Sequence, residues 1–131
     1  MIKNLILCLC LLYPSSIQYA VNFTQLDLDL AVVKAKESNK DILLIFSMDN
    51  CAFCRILERD LPTFNTDNYV VCIVDTTHDN RIAKSFGIII YPTSLIVSVN
   101  GEQKIVDSNI GYSQKTYKLW LQKNDIKKLN K

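Results

Sequence analysis

The 131-residue chain is short of several things at once: it has 3 glycines, 3 prolines, 1 histidine and 1 tryptophan. So little glycine and proline excludes collagen-like repeats and Pro/Gly-rich disordered sequence. A composition that is 49% hydrophobic and 21% charged instead predicts one folded domain, with a core but no room for a second module. An excess of one charge is missing too. The formal net charge is +2, too small to imply nucleic acid or an anionic membrane surface as partner. The local excess at Lys123, Lys127, Lys128 and Lys131 reads as the solvated end of a helix, favoured by the helix dipole. Repeats and linkers are absent, and a monomer is expected.

Long apolar runs are scarce. The one at the N-terminus, Leu5 to Tyr13, is about nine residues, well short of the roughly twenty that span a bilayer. Lys3 precedes it, and Pro14, Ser15 and Ser16 break it before Ala20. This layout predicts a secretory signal peptide over 1–20 and a mature domain over 21–131, with an uncleaved anchor as the alternative. Export follows, to a periplasm or else to a eukaryotic secretory lumen, where the sequon Asn22-Phe23-Thr24 would matter. Without the leader, five cysteines become three: Cys51, Cys54 and Cys72. That is too few for a disulfide-stapled scaffold and suggests a reactive pair and a bystander.

Hydrophobic patterning supplies the elements. Leu26, Leu30, Val33 and Ala35 among charged residues predict an amphipathic helix over 26–39. Asp41 then opens Ile42-Leu43-Leu44-Ile45-Phe46, apolar on both faces, as a strand in the middle of a sheet does. After the cysteine pair comes a helix whose buried face is expected to be Phe53, Ile56, Leu57 and Leu61, ended or kinked by Pro62. A second buried strand spans 69–74, and a short helix over 80–86 stops at Gly87. Strands over 94–99 and 103–106 form a hairpin through Asn100-Gly101. Ser113 is the expected N-cap of a last helix with Tyr117, Trp120 and Leu121 as its core stripe. Strands separated by helices are expected to run parallel and the hairpin antiparallel, giving an α/β fold: a mixed central sheet with helices on both faces.

Cys51-Ala52-Phe53-Cys54 could be half a zinc site, a structural disulfide or a redox dithiol. Zinc needs two further ligands, and only Cys72, in mid-strand, and His78, in a polar loop, are on offer. Placement favours the dithiol. The pair follows a buried strand and opens a helix, with Asp49 or Asn50 near the N-cap, where unpaired N–H groups and the dipole favour a thiolate on Cys51. Cys54, one turn on, would resolve the mixed disulfide. Phe53 would cover the sulfurs, contact a partner or simply pack. A second constellation, Gly87-Ile88-Ile89-Ile90-Tyr91-Pro92-Thr93, puts a proline at the start of an interior strand, where it cannot donate to the ladder.

Taken with the cysteine pair, the order strand, Cys-x-x-Cys, helix, strand, Gly-x-x-x-x-Pro-Thr, strand, Asn-Gly, strand resembles the thioredoxin superfamily over nearly all of the mature chain. The resemblance implies a cis Pro92 facing the dithiol and Tyr91 as a substrate-contacting position. It implies thiol–disulfide oxidoreductase activity without metal or organic cofactor. Its partners would be client proteins carrying cysteines or disulfides, and a membrane electron-transfer donor. Three features depart from thioredoxin itself: Asn50 replaces a tryptophan, Ala52-Phe53 replaces Gly-Pro, and Ile45 replaces a buried acid. Glu58, four residues after Cys54, looks instead like the periplasmic branch that includes the C-terminal domain of DsbD, where it would serve as proton acceptor; otherwise it pairs with Arg55 or Arg59. A peptide-binding module with a structural disulfide is the rival reading.

Overall fold

The computed structural model describes residues 25–130, with side chains from residue 27. The leader assigned to 1–20 and the sequon after it lie outside the described residues. The order is α1 (Gln25–Ser38), β1 (Asp41–Ser47), α2 (Ala52–Asp60) running into a 3-10 turn (Leu61–Thr63), β2 (Tyr69–Asp75), α3 (Arg81–Ser85), β3 (Thr93–Ser98), β4 (Lys104–Ile110) and α4 (Gln114–Leu129). Pro62 does end α2, within that turn.

Strand order is β2-β1-β3-β4, so the doubly apolar β1 holds the middle position its sequence demands. It pairs in parallel with β2, Asp41 opposite Tyr69 through Ser47 opposite Asp75, and antiparallel with β3, Phe46 opposite Thr93. The two-residue period sends alternate side chains to opposite faces. Ile42, Leu44 and Phe46 join Cys72, Val74, Leu95 and Val97 beneath Ala31, Val32 and Ala35 of α1 and Ala83 of α3. Leu43, Ile45 and Ile96 pack on the other face against Leu57, Leu61, Tyr117, Trp120 and Leu121. The expected mixed sheet flanked by helices on both faces is the fold observed.

Three local expectations change. First, β3 follows a helix yet runs antiparallel to β1, and therefore to β2. A parallel crossover needs a helix long enough to carry the chain back along the strand. Five-residue α3 rises about 7.5 Å against about 23 Å for a seven-residue strand, so the chain re-enters at the end it left. Second, the buried stripe of α1 is Ala31, Val32 and Ala35, while Leu30 and Val33 are half exposed. In Leu-Asp-Leu-Asp-Leu-Ala-Val-Val both faces carry apolar residues, and the small-residue face lies against the sheet. Third, β4 runs on to Ile110 through Asp107-Ser108-Asn109, a poor strand sequence.

Tertiary contacts explain that extension. Asp107 accepts hydrogen bonds from Trp120 Nε1 (3.0 Å) and Asn124 Nδ2 (3.0 Å) and an ion pair from Lys123 Nζ (3.1 Å), so α4 is pinned onto the edge strand. Burial works to raise the Asp107 pKa, but the bonds from Asn124, Lys123 and the Ser108 N–H outweigh it and hold it at about 2. A carboxyl held below its unfolded value of 3.8 contributes stability that is full above that value and is lost as pH falls through about 2. Asp107→Asn is expected to cost about 2 kcal/mol at pH 7 in urea unfolding. The gap to the wild type should shrink by more than half on acidification to pH 2. A gap independent of pH would show that Asp107 does not carry this load.

Candidate active site

Between Ser47 and Ala52 the chain must turn from strand into helix. Asn50 makes the corner with φ 58°, in the left-handed region that asparagine tolerates better than most residues. The Asp49 N–H donates to Thr77 Oγ1 at 2.9 Å, tying the corner to the loop after β2. Neither Asp49 nor Asn50 caps α2. Cys51 itself is the N-cap, and its Sγ accepts from the Cys54 N–H at 3.2 Å. The sulfur thus satisfies one of the N–H groups that a helix start leaves without a partner.

Cys51 and Cys54 form a disulfide, with Cα atoms 5.2 Å apart. Cys51 is partly exposed and Cys54 fully buried. The Tyr91–Pro92 bond is cis, and the Tyr91 carbonyl oxygen lies 3.6 Å from Cys51 Sγ. Pro92 is fully buried, and its carbonyl accepts from the Gly111 N–H at 2.8 Å, which clamps the start of β3 to the end of β4. The fold therefore brings together four residues that lie some 40 positions apart in pairs: Cys51 and Cys54, Tyr91 and Pro92.

Phe53 is not on the buried face of α2; it is 59% exposed. Cys54 and Leu57 take the inward direction, and a residue one step back from Cys54 is rotated about 100° away from it. Ile89 and Ile90, just before Tyr91, are exposed as well. These two isoleucines border the site and were missed in sequence, although four apolar residues in a row outside any strand were the signal.

Glu58 accepts from Ser47 Oγ at 2.7 Å and from Arg55 Nη2 at 3.3 Å. The same Arg55 nitrogen donates to Ser47 Oγ (3.1 Å) and the Met48 carbonyl (3.0 Å), and Arg55 lies 4.0 Å from Asp49. Of the two arginines considered for Glu58, Arg55 is the partner; Arg59 pairs with Asp60 at 3.1 Å. Ser47, buried at the end of β1, is the residue that sequence reasoning passed over. A lone hydroxyl closing an apolar strand was its only mark.

Cys72 packs in the α1 face of the sheet, across from Leu57. Burial, and secondarily the charge of Asp27, pushes its thiol pKa far up, so it stays protonated and inert. His78 is exposed in the loop after β2. Among the described residues no group of three or more His, Cys, Asp and Glu is placed to hold a metal ion.

A parallel–antiparallel sheet with a Cys-x-x-Cys disulfide at the N-terminus of a helix, set against a cis-proline, defines a thiol–disulfide oxidoreductase of thioredoxin-like architecture. The thioredoxin-like domain family matches residues 28–122, and the chain belongs to it. Solved structures agree on the fold. A Trichomonas vaginalis thioredoxin superposes with a TM-score of 0.64 at 22% identity, over 79% of this chain and 93% of that one. Poplar thioredoxin h gives 0.66 at 22%, over 82% and 93%. The oxidised C-terminal domain of Neisseria meningitidis DsbD gives 0.62 at 18%, over 80% and 99%. No curated protein sequence matches the chain.

If Cys72 only fills the core, Cys72→Ala should leave insulin-reduction activity within twofold of wild type and cost about 1–2 kcal/mol of stability. A peptide map showing a native disulfide from Cys72 to Cys51 or Cys54 would contradict this.

Proposed function

We propose that the chain is an exported dithiol reductant or isomerase, acting on client-protein disulfides and kept reduced by a membrane electron carrier. The periplasm is its compartment in this reading, on the strength of the leader-like segment at 1–20 and the Glu58 pattern. The observation that carries the mechanism is the position of Cys51 Sγ. It is the more exposed sulfur, it caps α2 through the Cys54 N–H, and it lies beside the Tyr91 carbonyl.

In the reduced protein the Cys51 thiolate is stabilised by the helix N-terminus. It attacks one sulfur of the client disulfide, forming a mixed disulfide and releasing a client thiolate. Cys54 loses its proton to Glu58 and attacks Cys51 Sγ, releasing the second client thiolate and leaving the Cys51–Cys54 disulfide. Two electrons pass to the client, and its two thiolates are protonated by the proton held on Glu58 and by one from solvent, which received the Cys51 proton when that thiolate formed. Tyr91 offers its backbone to the client segment, Pro92 shapes the groove, and Phe53 covers the reacting sulfurs from the solvent side.

The direction rests on charge. The cation nearest the pair in sequence, Arg55, is engaged by Glu58, Asp49, Ser47 and the Met48 carbonyl. It has little charge to spare for a thiolate, and Asp49 opposes one. A modestly stabilised thiolate makes a reductant rather than a strong oxidant.

Trapping tests the roles. Cys54→Ser should accumulate mixed disulfides with reduction-sensitive clients, and Cys51→Ser should accumulate none. Equal trapping by both variants would overturn the assignment.

A further inference from the structure

Resting on the dithiol mechanism above, we propose that Ser47 is a positioning residue, whose buried hydroxyl holds Glu58 in place as the proton acceptor for Cys54. The need for an acceptor begins at Cys54. Its side chain is fully buried, so its thiol proton has no direct path to water, and apolar burial disfavours the thiolate. Glu58 lies four residues on in α2, on the same face, with Cβ atoms about 5–6 Å away. Its side chain is partly exposed, and an unrestrained glutamate on a helix samples several rotamers. Ser47 removes that freedom.

Ser47, the last residue of β1, is itself fixed. It pairs with Asp75 of β2 in the parallel ladder. Its carbonyl accepts from the Thr76 N–H at 2.9 Å and from Thr76 Oγ1 at 3.0 Å. Its hydroxyl has one proton to give, whereas Arg55 can only donate. The 3.1 Å bond from Arg55 Nη2 therefore occupies a lone pair of Ser47 Oγ, and the serine proton goes to Glu58 Oε1 at 2.7 Å. A donor on the oxygen polarises the O–H and strengthens the bond it makes in turn. Arg55 Nη2 also reaches Glu58 Oε1 at 3.3 Å. Both bonds to Glu58 fall on Oε1, which leaves Oε2 to take the thiol proton. The other acids near Arg55 are placed elsewhere. Asp75 accepts from the Thr77 N–H at 2.9 Å, and Asp49 lies at the exposed corner, 4.0 Å from Arg55.

In the resolving step the Cys54 proton passes to Glu58, the bond from Cys54 to Cys51 forms, and the bond from Cys51 to the outgoing thiolate breaks. Rapid mixing of the reduced full chain with excess dithiobis(nitrobenzoate), stopped with acid, separates this step from the first attack. Mass mapping of the peptide carrying Cys51 and Cys54 follows the aryl adduct as it forms and as it decays to the internal disulfide. In Ser47→Ala the decay should be about tenfold slower at pH 7, a part of what a placed general base supplies. Adduct formation should stay within about twofold of wild type. The deficit should narrow as pH rises to about 9, where hydroxide takes the thiol proton without help. Ser47→Thr, which keeps the hydroxyl, should restore the decay rate, and Glu58→Gln should slow it at least as much as Ser47→Ala. A slowing of the same size at every pH, as general loss of structure would give, would overturn the proposal. Slow decay in Glu58→Gln with normal decay in Ser47→Ala would overturn it while leaving the dithiol mechanism intact. A wild type that forms no adduct on Cys51 would overturn that mechanism itself.

Discussion

The reactive end of this molecule depends on the burial of β1 on both faces. A strand that is apolar at every position from Ile42 to Phe46 has no water-facing side, so it can sit only between two other strands and beneath two layers of helix. That fixes the register with β2 and β3 together. It also fixes where Ser47 ends and hence where Cys51 begins α2. Because β3 returns antiparallel, Thr93 lies opposite Phe46, and Pro92 arrives beside the cysteines. A shift of one residue in β1 would turn each of its side chains to the wrong face and carry the disulfide away from Tyr91.

The corner after β1 divides into two chemical environments. On one side is a polar web in which Arg55 joins Ser47, Met48, Asp49 and Glu58. On the other are exposed apolar side chains, Phe53 on α2 and Ile89 and Ile90 before Tyr91. The disulfide lies at the helix start, with its partly exposed sulfur capping that helix. An N-cap is usually an oxygen of Ser, Thr, Asp or Asn. With sulfur there, the group that organises the helix is also, in the proposed mechanism, the group that attacks the client. Forming a thiolate strengthens the cap by adding charge to the acceptor.

Much of this was legible in the sequence because it rests on local rules. The apolar run of β1, the stop at Gly87, the core stripe of α4 and the cysteine pair at a helix start each follow from a period or a residue type, and the resemblance added the cis-proline. What escaped depended on contacts remote in sequence. Asp107-Ser108-Asn109 looks like loop until Trp120, Lys123 and Asn124 are placed over it. Arg55, three residues from Glu58, is its foreseeable partner, but the second and shorter bond comes from Ser47, eleven residues away across a turn. Which face of α1 is inward is decided by the fit of alanines to the sheet, not by hydrophobicity, since both faces have it. Phe53 fell on the expected buried face by its helical spacing with Ile56, Leu57 and Leu61, yet its direction is set by Cys54 and Leu57 claiming the interior.

The central claim is that the Cys51–Cys54 pair cycles as a reducing dithiol, with a thiolate stabilised by one helix start and little else. The most direct measurement is the equilibrium between dithiol and disulfide in defined thiol buffers, quantified by alkylation. The account predicts a potential nearer that of thioredoxin, about −270 mV, than that of the strong oxidant DsbA, about −120 mV. A value above about −150 mV, or a pair that never reduces under these conditions, would contradict it.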